Sequence, residues 1–154
     1  MPFANAPPQC MPALVLADPA ATEALGEWLA ARARPGDAIL LEGALGAGKT
    51  TLARAFLRAA AGDPALVVPS PSYTLVQSYA TRLGLVHHFD LWRLDGPRGL
   101  EELGWHEAVG DIVLVEWPDR LGALAPADAL RVRLKRCAET SREARLCGWP
   151  DRLG

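Results

Sequence analysis

The sequence predicts an α/β fold in three layers with a mixed parallel and antiparallel sheet, and three observations lead there. An apolar run, Ile39-Leu40-Leu41, feeds a glycine-rich loop that opens into an alanine- and leucine-rich stretch: strand, loop and helix in succession. A second apolar run, residues 112–115, suits a strand buried on both faces and ends in the acid Glu116. Between these lie two extended segments joined by Thr81-Arg82-Leu83-Gly84, the pattern of an antiparallel hairpin. The loop reads Gly43-x-x-x-x-Gly48-Lys49-Thr50, a fit to the phosphate-loop pattern, so the class is P-loop NTPase-like.

Taken in order, residues 1–13 read as a flexible leader and residues 14–150 as a single domain. The first seventeen residues carry no charged side chain and contain Pro2, Pro7, Pro8 and Pro12. With no basic start and no unbroken apolar core, they do not read as a signal peptide. Leu14-Val15-Leu16 is a short strand. Asp18 before Pro19 is an N-cap followed by proline at the first helical position. That helix is expected to run to about residue 33, with Leu25, Trp28 and Leu29 as its apolar stripe. Pro35-Gly36-Asp37 turns the chain into the strand before the loop, and the helix after the loop stops at Ala61-Gly62 with Pro64 beyond. Residues 73–79 and 85–92 are the hairpin strands. Residues 96–109 are expected to be a helix interrupted near Gly104, and residues 111–116 a buried central strand. Two further strands are expected at 131–136 and 144–148.

With 154 residues, half of them apolar, the chain has the material for a core. A net charge of −2 supplies no global attraction to nucleic acid or to an anionic membrane. No apolar run approaches membrane-spanning length, so no membrane partner is expected and the cytoplasm is the expected compartment. Only Lys49 and Lys135 are lysines among 16 basic residues, which suggests that the loop wants a compact ammonium. Cys10, Cys137 and Cys147 are odd in number and lack C-x-x-C spacing, so reduced structural thiols are expected rather than a disulfide framework or a zinc site.

The candidate nucleotide-binding residues are Gly46, Ala47, Gly48, Lys49, Thr50 and Thr51. The glycines let successive N–H groups converge on one anion, and the helix adds its unpaired first-turn N–H groups. Lys49 is placed to reach the β- and γ-phosphates and Thr50 to ligate Mg²⁺. Glu116 ends its strand where ligands of open α/β sheets sit, so it is a candidate magnesium acid. Asp90 has two readings: a salt bridge to Arg93, or a carboxylate that positions the attacking water or the magnesium shell. Strand alternation puts His88 on the face of Asp90 and His87 on the other, so the histidines cannot chelate a metal together. Ser70, Ser72 and Thr74 follow or flank Pro71, either as an ordinary turn or as a switch that senses the γ-phosphate. Guanine-specific relatives of this loop use Asn-Lys-x-Asp, and the only asparagine is Asn5, so adenine is favoured.

In order along the chain, GALGAGKTT (43–51), SPSYTL (70–75), HFDLWR (88–93) and EWP (116–118) resemble the motifs of the TsaE, or YjeE, family. Ala21-Thr22 with Gly26, and Ser141 to Arg145, also resemble that family, and the likeness spans residues 14–148. The resemblance implies an ATP- and Mg²⁺-binding subunit that hydrolyses ATP slowly alone. It implies TsaB and TsaD as partners, which transfer threonylcarbamoyl to adenosine 37 of tRNA. It further implies that Lys49, Glu116 and Asp90 are catalytic, that Thr50 and Glu116 hold magnesium, and that Trp117 is an aromatic placed by the site. Thr22 and Arg142 would then lie near the base or ribose. Ala44, Ser72 and Trp92 depart from the family's aspartate, threonine and tyrosine, and none of the three changes removes a phosphate or metal group. No basic stripe interleaved with aromatics is evident, so tRNA is expected to be met through partners. Two other functions share the loop: a small-molecule kinase, for which residues 97–99 are too short to form an arginine-bearing lid, and a nucleotide-dependent scaffold.

Overall fold

The structure, a computed structural model, describes residues 9–153. Seven strands form one sheet in the order β1-β7-β6-β2-β5-β4-β3. The inner strands β6 (Leu130–Arg136), β2 (Ala38–Glu42), β5 (Ile112–Glu116) and β4 (Gly84–Asp90) run parallel to one another. Antiparallel pairs close both sides: β3 (Val76–Thr81) on β4, and β7 (Arg142–Cys147) between β6 and β1 (Leu14–Leu16). The mixed sheet expected from the hairpin is therefore present, with a second antiparallel edge that the sequence did not announce.

Three layers follow from where the apolar side chains go. Ile39 and Leu41 of β2 face α1 (Pro19–Ala30) and α2 (Lys49–Ala61), in a core with Leu29, Leu52 and Phe56. Ala38 and Leu40 point the other way, into a second core with Phe89, Leu100 and Trp105. A strand buried on both faces needs an unbroken apolar run, which β2 and β5 have. The second core is covered by α3 (Trp105–Ala108) and by 3-10 turns at Pro97–Gly99 and Pro118–Leu124.

The local signals held at the start of α1 and at the end of α2, where Gly62 is the left-handed C-cap, and shifted at several other boundaries. Asp18 accepts the Ala21 N–H at 2.9 Å and caps α1 as expected. The helix ends at Ala30, earlier than expected: Ala31 keeps helical angles, but the Arg32 and Ala33 N–H groups both turn back to the Leu29 carbonyl, which closes the last turn. β3 starts at Val76, not residue 73: the Pro71 carbonyl accepts the Leu75 N–H, and Leu75 is left-handed at φ 68, which breaks the extended run. Residues 96–109 are not one interrupted helix. They form a single 3-10 turn and the short α3, which begins after the left-handed Gly104.

The expectation of unpaired thiols is overturned for two of the three cysteines. Cys10 and Cys147 form a disulfide, their Cα atoms 4.0 Å apart across 137 residues of chain, while Cys137 is free and exposed. Spacing could not reveal this pair, because it depends on residues 9–11 lying antiparallel to the end of β7. Gln9 accepts the Gly148 N–H and Met11 donates to Leu146, each at 2.8 Å. The rest of the expected flexible leader, residues 1–8, lies outside the described residues. No helix among the described residues is long and apolar enough to cross a membrane.

Candidate nucleotide and catalytic site

Three parallel strands, β2, β5 and β4, deliver the chemistry to one edge of the sheet. β2 ends at Glu42 and passes into the loop, β5 ends at Glu116 and β4 ends at Asp90. The register sets Leu41 beside Glu116 and Glu116 beside Asp90, so the order of the strands brings the acids to the loop. Gly48 precedes α2 at φ 106, a conformation open to glycine and costly for a side chain. The loop is held by Ala47 N–H on the Ala44 carbonyl, and Leu52 N–H on Gly48 starts the helical ladder. The first-turn amides of α2 thus stand beside the ends of β4 and β5.

The Thr50 hydroxyl lies 2.9 Å from Glu116 Oε1 and 3.2 Å from Oε2, and donates to that carboxylate. Lys49 folds back over its own loop. Its ammonium donates to the Gly43 carbonyl at 2.6 Å and rests 3.7 Å from the centre of the Trp117 ring. Burial lowers the Lys49 pKa from its usual 10.5, outweighing Glu116, Asp90 and Asp119, which favour the charge. Trp117 itself is left-handed at φ 59 and packs on Trp92 with ring centres 4.6 Å apart.

Asp90 is buried and accepts from Ser72 Oγ at 3.3 Å and from the Trp92 N–H at 3.1 Å. Among the described residues no ion pair joins it to Arg93, whose guanidinium lies over the Tyr73 ring instead. Ser70 and Ser72 share a 2.9 Å hydrogen bond, so both hydroxyls are linked toward Asp90. Thr74 is turned away and accepts from Gln77 at 3.1 Å.

A cleft of about 250 Å³ joins Gly46, Gly48, Lys49, Thr50 and Thr51 to Ser70, Ser72, Asp90, Glu116, Trp117 and Arg142. Thr22, buried at the start of α1, lines a smaller adjoining space with Thr51 and Arg142. Arg142 donates to the Gly46 carbonyl at 3.2 Å and ties the start of β7 to the loop. Larger clefts of about 410 and 510 Å³ lie elsewhere, but neither contains the lysine or the two acids.

Two residues enter the site to which no site role had been given from sequence. His88 is fully buried with Nε2 2.7 Å from Glu116 Oε2, and Asp119 adds negative charge near Lys49. The shared face of His88 and Asp90 was readable, but the adjacency of β4 to β5, which supplies the partner, was not. His87, on the other face, bonds Ser78 and Asp111 and fastens the hairpin to β5.

The family model described as Threonylcarbamoyl adenosine biosynthesis protein TsaE matches residues 16–144. A Rickettsia felis protein named tRNA threonylcarbamoyladenosine biosynthesis protein TsaE is 35% identical over 130 residues, 84% of this chain and 75% of that one. The Bacillus subtilis protein of the same name is 33% identical over 128 residues, 82% of this chain and 78% of its own. The crystal structure of Bacillus subtilis YdiB is similar at a TM-score of 0.71 and 28% identity, covering 92% of this chain and 86% of that one. With the loop, its facing acids and these relatives together, the chain belongs to the TsaE family of tRNA threonylcarbamoyladenosine biosynthesis.

Proposed function

We propose that the chain is the ATP-binding and ATP-hydrolysing subunit required for threonylcarbamoylation of adenosine 37 in tRNA, acting with TsaB and TsaD homologues. One contact supports this reading most: the Thr50 hydroxyl against the Glu116 carboxylate, which joins the phosphate loop to the strand acid beside Lys49. The loop amides and the first turn of α2 cradle the triphosphate. Lys49 leaves the Gly43 carbonyl and the Trp117 ring and turns its ammonium to the β- and γ-phosphates. A buried ammonium whose surroundings disfavour its charge gains more from an arriving anion than an exposed one would.

The donor set fits magnesium: the Thr50 hydroxyl and the Glu116 and Asp90 carboxylates are all oxygen donors at one cleft. Among the described residues no group of three or more His, Cys, Asp or Glu is arranged to hold a metal ion, and magnesium in such sites shares protein oxygens with phosphates. When bound, the ion neutralises charge that develops on the transferring phosphate. Asp90 orients the attacking water and accepts its proton, with its carboxylate plane held by Ser72 and the Trp92 N–H. The segment with Ser70, Ser72 and Thr74 senses the γ-phosphate through Ser72, and Trp117 couples the site to partners. Thr22 and Arg142 flank the adenosine end. Residues 14–150 act as one domain, in the cytoplasm, and tRNA is met within the partner complex.

Reconstitution with the two partner subunits, tRNA and a threonylcarbamoyl donor tests the reading. Free phosphate is expected to rise above that of the chain alone, and modification is expected to continue past one turnover. Lys49→Ala and Glu116→Ala should abolish both. Phosphate appearing on a metabolite would make the chain a kinase. A Glu116→Ala variant that binds ATP, does not hydrolyse it and fully supports modification would make hydrolysis incidental.

A further inference from the structure

We propose that His88 is the positioning residue for Glu116, fixing the carboxylate and through it the Thr50 hydroxyl; the inference rests on the magnesium role given above to those two residues. His88 is fully buried on β4 and Glu116 nearly so on β5. Register pairs His88 with Leu114 and Asp90 with Glu116, so the imidazole lies one same-face step behind Asp90 and reaches along β5 to the acid. An ionised carboxylate only accepts, so the 2.7 Å contact places the imidazole hydrogen on Nε2. Nδ1 is buried and has no partner among the described residues. A position needed only for packing is served at less cost by leucine or methionine, which bury no polar atom. The single bond to Glu116 explains why a half-satisfied imidazole stands there.

The terminal torsion of a glutamate is broad and roughly two-fold, so one donor does not fix its carboxylate. Here there are two: Thr50 is nearer Oε1 and His88 bonds Oε2. The Thr50 hydroxyl has one hydrogen and commits it to Glu116, which turns its lone pairs away from the carboxylate. His88 therefore sets Glu116, and Glu116 sets the hydroxyl that faces the cation.

Two variants of similar volume separate the bond from the packing: His88→Gln keeps an N–H donor, and His88→Met does not. The probe is a fluorescent ATP analogue, titrated with and without magnesium, with thermal melts to establish that both variants fold. In chelator, nucleotide affinity should stay within about twofold of wild type for both, because neither touches the loop amides. The magnesium concentration for half-maximal tightening should rise about tenfold in His88→Met and stay within about threefold in His88→Gln, as expected when an outer partner of a metal ligand is lost or kept. A folded His88→Met with wild-type magnesium dependence would overturn the proposal, and so would His88→Gln as impaired as His88→Met. Wild-type binding that ignores magnesium would overturn the metal reading itself, a result distinct from any change between variants.

Discussion

Lys49 is the residue at which binding and stability pull apart. Its surroundings lower its pKa, with burial as the leading cause, so the nucleotide-free fold carries an ammonium in a site that on balance disfavours it. Lys49→Met should therefore lose nucleotide binding while melting at or above the wild-type temperature. The sign with pH follows from the depressed value. The unfolded chain holds this proton up to 10.5 and the folded chain releases it earlier, so between the two values stability rises with pH. The advantage of Lys49→Met over wild type should thus narrow as pH climbs toward 10.5, which paired melts would record. Asp90 makes the opposite kind of prediction. Asp90→Ala should bind nucleotide within about twofold of wild type and lose about 10²–10⁴-fold in turnover, the range for a lost general base. Unchanged phosphate release would reduce Asp90 to an acceptor for Ser72.

Between α1 and α2 the contact depends on one missing side chain. A Cβ on Gly26 would stand 2.6 Å from the Leu52 carbonyl oxygen and 3.0 Å from the Ala55 Cβ, so α1 lies directly against the backbone of α2 at that point. Gly26→Ala should destabilise the fold by about 1–3 kcal/mol, the usual cost of overpacking, read from a denaturant midpoint. Because α2 begins at Lys49, the displaced helix should also weaken nucleotide binding. The elements show what local sequence can carry. Asp18-Pro19 marked the start of α1 and Gly62 the end of α2, because caps are properties of a few adjacent residues. The start of β3 was misplaced because the turn at Leu75 comes from a backbone conformation that leucine does not advertise.

For the molecule as a whole, what was legible stopped at pairings made over distance. The loop and the acid-ended strand could be read from sequence, and the resemblance made more of Asp90. Yet nothing local says that β1 pairs with β7, or that His88 lies against Glu116. The Cys10–Cys147 bond is the clearest case, since an odd cysteine count suggested no pair at all. It ties the start of the described chain to β7, whose first residue, Arg142, bonds the loop. Reduction, or Cys147→Ser, should cost about 2–4 kcal/mol, the common range for a native disulfide. Melts with and without reductant would measure it. Before reduction Cys137 alone among Cys10, Cys137 and Cys147 should react with a thiol reagent.

The stack of Lys49 on Trp117 also makes the molecule its own optical gauge. A cation 3.7 Å above an indole face perturbs its excited state, and phosphate would draw that cation away. Unlabelled ATP should therefore shift the intrinsic emission on titration. Trp117→Phe should silence most of that response while the other four tryptophans go on emitting. The colour of the protein's own light would then report where a single ammonium sits.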